Sequence, residues 1–239
     1  MKRAPAIARR ELASYFHSPI AYVAMALFLF AGAVSFLVYD FQPGQPDEMR
    51  HTFESFIWLL VFVVPVLSMG LLAQEWATGT IETLMTAPVD ETDVVLGKFF
   101  GSLGFFAVLV GPTLLYVVLL RLYGQIDIGP IISGYLGIAL AAALFISIGL
   151  FCSSLTRSQL VAAFASAAIL FAVTIIPWLI SYFATLAPGW RAVVEQCVYR
   201  RYEDFSKGII DTGNVVFFVA TTAVFLFLTV KTLESRRWQ

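Results

Sequence analysis

The stretch IAYVAMALFLFAGAVSFLVY, residues 20–39, decides the fold. Twenty residues pass without a charge, and a helix of that length rises about 30 Å, the thickness of a hydrocarbon core. A signal-peptide core is shorter and is followed by a small-residue cleavage pattern; here the run is long and leads into the loop 40–52 with Pro43, Gly44 and Pro46, so it is read as retained. Runs of the same kind recur down the chain. Together they predict six membrane spans at about 20–40, 53–73, 99–120, 131–155, 160–183 and 213–231.

Composition agrees with this reading. Of 239 residues, 59% are hydrophobic and 13% charged, against about 25% charged in an average soluble domain. The chain lacks the polar surface of a soluble protein, and the expected class is an all-α membrane protein forming a single domain over 1–239. Lys and Arg flank the apolar runs rather than gathering in one patch, which speaks against nucleic acid as a partner. The N-terminal segment carries Lys2, Arg3, Arg9 and Arg10, whereas the loop after the first span has Arg50 alone. The positive-inside rule therefore places both termini in the cytoplasm, with nine of the fifteen Lys and Arg on that side.

Ahead of the first span, Ile7, Leu12, Tyr15 and Phe16 can line one side of a helix opposite Arg9 and Arg10, with Glu11 beside them. This is the pattern of an interfacial amphipathic helix. Between spans five and six lies a longer outer segment, 184–214, rich in charge. Trp190, Val193, Val194 and Cys197 are spaced i, i+3, i+4, i+7, which predicts an amphipathic helix that is interfacial or dips back into the bundle.

The longest polar interruption of the first half is QEWATGTIETLMTAPVDETDVVLGK, residues 74–98. Gly79 and Thr80 can open a short helix, capped by Thr78 or Gly79, with Glu82 in its first turn and Pro88 at its close. Ile81, Leu84 and Met85 share one face; Glu75 and Glu82 share another if the helix begins early enough. Such an element, wedged between two spans, is a candidate for docking something outside the membrane.

The apolar cores hold no Asp, Glu, Lys, Arg or His, which disfavours an ion-coupled pump. Histidines at 17 and 51 fall outside the spans and offer no haem ligation within the bundle. An intramembrane hydrolase is disfavoured for the same reason. Cys152 and Cys197 fall on opposite sides of the membrane and read as ordinary small apolar residues. Leu96-Gly97-Lys98 lacks the earlier glycine and the following Ser or Thr of a phosphate loop. Energy must therefore come from another polypeptide. Pro65, Pro112 and Pro177 permit bends, Pro112 most plainly.

At this point the segment 75–88, EWATGTIETLMTAP, resembles the E…GT-x-E-x-L…P stretch of ABC-2 type permeases. The strings SPIAY at 18–22, VLGK at 95–98, IGLFCSSLT at 148–156, FSKGIID at 205–211 and SRRW at 235–238 resemble the gliding-motility (GldF-like) permease subfamily. One departure is Lys207, where the subfamily pattern has arginine. The resemblance implies a non-catalytic permease that binds no cofactor itself; ATP and Mg are bound by cytoplasmic ABC ATPase subunits. It also implies a second permease subunit, in a homodimer or heterodimer, and leaves room for a large extracytoplasmic partner protein. It makes Glu75, Gly79, Thr80, Glu82 and Leu84 the coupling helix seated on the ATPase, beside the interfacial helix with Arg9, Arg10 and Glu11. Trp190, Tyr199 and Asp211 then belong to an outer re-entrant segment lining the exit of the path. An exporter is the first reading; a mechanical component of a motility or secretion assembly, without a solute, is the second.

Overall fold

Lipid offers the backbone no hydrogen-bond partners, so a chain built of long apolar runs must satisfy its amides within each run. Accordingly every element is a helix, and no strand occurs among the described residues. The computed structural model describes residues 4–41, 49–80, 90–123, 127–183 and 198–237. Helix α1 covers Ala4–Phe16, α2 Pro19–Ser35, α3 Arg50–Ser68, α4 Ala73–Thr78, α5 Glu91–Val110, α6 Leu114–Tyr123, α7 Ile128–Leu155, α8 Gln159–Phe183, α9 Val198–Ser206 and α10 Thr212–Arg237. Six stretches are long and apolar enough to cross a membrane: Pro19–Asp40, Arg50–Thr78, Glu91–Tyr123, Ile128–Leu155, Gln159–Ile180 and Thr212–Arg236.

Helix α7 is the centre of the bundle. Of its span, 72% is buried inside the protein, against 22% for each of the last two spans, and it packs on α3, α4, α5, α8, α9 and α10. Small residues permit this approach. At Gly149 an added Cβ would lie 2.0 Å from Ser68 Oγ of α3, so any side chain there would drive the two helices apart. The peripheral spans leave Phe30, Phe62, Leu122 and Phe164 exposed, as lipid-facing surfaces require.

Each departure from straight helix has a local cause. Pro112 lies in a tight turn, Gly111–Thr113, that separates α5 from α6 within one span, as the sequence predicts. Span one ends in a wide π-helical turn over Phe36–Asp40. Asp40 then reaches over to accept from the Thr52 amide at 2.7 Å and the His51 amide at 3.3 Å, satisfying orphan donors at the start of α3.

Two sequence expectations are corrected. The third span begins at Glu91, not near 99, so Asp93 and Lys98 lie inside the helix and are buried. The spans are thus not free of ionisable groups. The second correction concerns the stretch before Gly79: a separate helix, α4, ends there, with Gly79 closing it at φ +72° in the left-handed region. Thr80 is helical again, in keeping with a helix that Gly79 and Thr80 open. Glu75 lies on the helix before this left-handed break, and Glu82 lies outside the described residues.

Candidate functional site

The end of the bundle that carries α1 gathers the charge. Helix α1 lies along the first half of α5, seated on Gly97 and Gly101, one helical turn apart. A Cβ at Gly97 would stand 2.6 Å from Ile7 Cβ, and one at Gly101 would stand 2.7 Å from Glu11 Cβ and 2.9 Å from the Ala8 carbonyl oxygen. Only glycine lets the two backbones come this close. Tyr15 pins the far end: its hydroxyl donates to the Leu67 carbonyl at 3.0 Å, pairs with Ser102 Oγ at 3.0 Å, and its ring stacks on Phe105. Burial pushes the Tyr15 phenol well above its ordinary range, so it acts as a neutral hydroxyl.

That docking brings Glu11 over Lys98. The Lys98 ammonium, on a side chain 2% exposed, lies 3.1 Å from Glu11 Oε2 and 2.9 Å from Glu75 Oε1. Arg10 Nη2 approaches the same Glu75 oxygen at 3.5 Å from the solvent side. One buried cation therefore ties α1, α4 and α5 together. A buried charge so placed persists only while its partners do, because removing one leaves the others desolvated and unpaired.

Helix α4 is held on two further sides. The backbone breaks between α3 and α4, which frees amide groups in the protein interior. Ser153 Oγ of α7 accepts from the amides of Leu72 at 3.0 Å and Ala73 at 2.9 Å and donates to the Met69 carbonyl at 3.0 Å. One hydroxyl thus bridges the break. From α10, the Arg236 guanidinium lies over the Trp76 ring, 5.0 Å from its centroid, and donates to the Leu155 carbonyl at the end of α7. The end of α4 and the two residues after it, Thr78 to Thr80, are exposed, with Thr78 Oγ1 donating to the Gln74 carbonyl at 2.9 Å.

At the opposite end α9 plugs into the bundle. Its Tyr202 is fully buried and donates to the Phe53 carbonyl at 2.6 Å, Ser133 Oγ donates to the Phe205 carbonyl at 2.7 Å, and the Phe205 side chain fills the space a Cβ on Gly137 would need. Glu203 collects Arg200 at 2.8 Å, Lys207 at 2.5 Å and Arg50 at 3.7 Å. Burial raises the Glu203 carboxyl, but Lys207 and Arg200 outweigh it and hold the group below its ordinary value. Trp58 lies between Trp178 and Tyr199, and the Tyr199 phenol is pushed up to about 12 by burial and by Glu54 and Glu203.

Of the residues singled out by sequence, Glu75, Arg10 and Glu11 come together. Arg9 stands on the exposed face of α1. Gly79 and Thr80 form the exposed tip, while Glu82 and Leu84 lie outside the described residues. Tyr199 belongs to the opposite end. So does Asp211, which accepts from the Gly213 amide at 3.0 Å and opens α10 as a helix-start residue. Trp190 and the i, i+7 pattern ending at Cys197 lie outside the described residues. Sequence reasoning missed Lys98, Ser153 and Arg236. Lys98 was visible only as a failed phosphate loop and within the VLGK string; its pairing with the glycines at 97 and 101 was the available signal. Ser153 and Arg236 stand inside the strings at 148–156 and 235–238, but nothing local in them assigns the two side chains a role.

Residues 6–235 match the family described as ABC-2 family transporter protein. No curated protein matches the chain.

Proposed function

Because the chain belongs to the ABC-2 family of transporter proteins, and is thereby a membrane permease subunit of an ABC transporter, we propose that it drives export by receiving the stroke of a separate ATPase. The stroke enters on the element that runs from Glu75 through Gly79 and Thr80 to Glu82 and Leu84. In this reading residues 1–239 form one permease domain in a bacterial inner membrane, with α1, α4 and both termini on the cytoplasmic side. The chain performs no chemistry of its own; ATP and Mg are held by the ATPase, and a second permease subunit completes the path. Membership of the gliding-motility permease subfamily belongs to the same proposal, carried by the strings at 148–156, 205–211 and 235–238.

The observation that supports this reading is the four-sided hold on α4. Lys98 links it to α5, Arg10 to α1, Ser153 to α7 and Arg236 to α10. A push on α4 would therefore reach three spans and the interfacial helix at once through these contacts.

The test uses the reconstituted complex with its ATPase and follows ATP-dependent labelling of a cysteine introduced at position 199. Gly79→Val and Glu82→Lys are expected to leave ATP hydrolysis and membrane insertion intact while abolishing the ATP-dependent change in labelling. An unaltered change in both variants would overturn the proposal.

A further inference from the structure

Beside the ion cluster, on the other flank of α1, a cavity of about 120 Å³ opens between α1, the start of α2, the end of α3 and the first residue of α8. Its lining divides by polarity. Glu11, Ser14, Ser18, Gln74 and Gln159 supply a carboxylate, two hydroxyls and two amides; Ile20, Val66 and Leu71 supply the apolar wall. The rim divides in the same way, since Ile20 and Val66 are exposed at the start of α2 and near the end of α3, while Ser14 and Gln74 are exposed on α1 and on the short helix α4. A mouth that is half bilayer and half water fits a molecule of the same construction. That molecule is a membrane lipid with its acyl chains against Ile20 and Val66 and its headgroup on the polar side.

The charge of the lining selects the headgroup. Among the described residues Glu11 is the only acidic side chain that lines the cavity, and no Lys or Arg does. Lys98 is 2% exposed behind Glu11 and is shared with Glu75. One ammonium thus serves two carboxylates, which leaves Glu11 able to accept from a further cationic donor. A phosphate with no ammonium of its own would meet a carboxylate and no cation. We propose that this cavity is a binding site for an ethanolamine phospholipid, its primary ammonium donating to Glu11 and its phosphate ester accepting from the hydroxyls of Ser14 and Ser18. Bound there, the lipid would wedge α1 against α2 and α3 on the side that the Gly97 and Gly101 seat does not hold.

The experiment uses the full-length protein, delipidated in mild detergent, and measures lipid rebinding by native mass spectrometry. The probes are phosphatidylethanolamine, phosphatidylcholine and phosphatidylglycerol with identical chains. Choline has the same charge as ethanolamine but no N–H to donate; glycerol leaves a net anion. Ethanolamine is expected to bind about tenfold or more tightly than either, the worth of one charge-assisted hydrogen bond. Ser14→Trp, at an exposed position of α1, should fill the mouth and remove this preference, and Ser14→Thr should keep it. Equal or tighter binding of phosphatidylglycerol by the wild-type protein would overturn the proposal, since it would mean that the basic surface of α1 does the selecting. Equal binding of phosphatidylcholine would overturn the role of Glu11. Retention of the ethanolamine preference by a folded Ser14→Trp variant would overturn the location. If that variant misfolds, the three-lipid comparison on the wild-type protein still decides.

Discussion

Replacing Lys98 with methionine keeps the length of the side chain and deletes its charge. The Lys98 side chain is 2% exposed and its ammonium lies within 3.1 Å of two carboxylates on different elements. The variant leaves Glu11 without this partner and, among the described residues, Glu75 with Arg10 as its remaining ion-pair partner, at 3.5 Å and 63% exposed. Breaking a buried charge cluster by removing one member costs about 3–5 kcal/mol, whereas an exposed ion pair contributes about 1 kcal/mol or less. The loss falls on α1 and the tip of α4, because the remaining packing of α5 in the bundle does not involve the ammonium. Hydrogen exchange in nanodiscs should therefore show the amides of residues 8–16 opening about a hundredfold to a few thousandfold more often, with α7 unchanged. Arg10→Ala should move the same amides by about fivefold or less. The double variant Glu11→Leu with Lys98→Met should cost less than the sum of its parts, since both remove one shared interaction. Wild-type protection of α1 in Lys98→Met would refute the assignment of this cluster as the tie between α1, α4 and α5.

Gly101→Val is expected to lift α1 from α5 and lower stability by about 1–3 kcal/mol through overpacking; Gly104→Ala, whose Cβ would meet Leu12 at an ordinary 3.7 Å, should be silent in the same thermal unfolding assay. Tyr202→Phe deletes the fully buried hydroxyl that donates to the Phe53 carbonyl, which keeps its helical bond within α3, at a cost of about 0.5–1.5 kcal/mol read as faster exchange of α9 alone. The pH dependence of the α9 end follows from Glu203. Its folded carboxyl is held below the ordinary 4.5, so its contribution is complete above that value and is lost as pH falls through the folded value. Protection of α9 should drop on acidification below about pH 4.5, and Glu203→Gln should start weaker and lose this acid step.

The six spans were readable because a membrane imposes a length, and length survives in a sequence without knowledge of the neighbours. Pro112 was readable because proline removes a donor wherever it stands. That a separate helix α4 ends at Gly79 was not readable, because Thr-Gly-Thr suits either end of a helix; the left-handed backbone at φ +72° shows that Gly79 terminates α4, just before Thr80 is helical again. Lys98 was misread because a lysine near the start of an apolar run ordinarily reaches for water. Its burial is a tertiary event: it follows from α1 settling on two glycines nearly ninety positions further along the chain, which local periodicity does not encode. At the opposite end, the pattern from Trp190 to Cys197 lies outside the described residues; the helix that is described there occupies Val198–Ser206, where Tyr202 and Phe205 are buried.

The Ser153 bridge across the break between α3 and α4 also bears on how the protein is made. A chain emerges from its N-terminus, so α3 and α4 are synthesised some eighty residues before the hydroxyl that closes the gap between them. Arg236, which clasps Trp76, arrives later still. Until then the amides of Leu72 and Ala73 lack the acceptor they hold in the finished bundle. A nascent chain halted after its third span would therefore have all its early helices inserted but an unset α4, which would gain its last contacts only as the final helix is laid down.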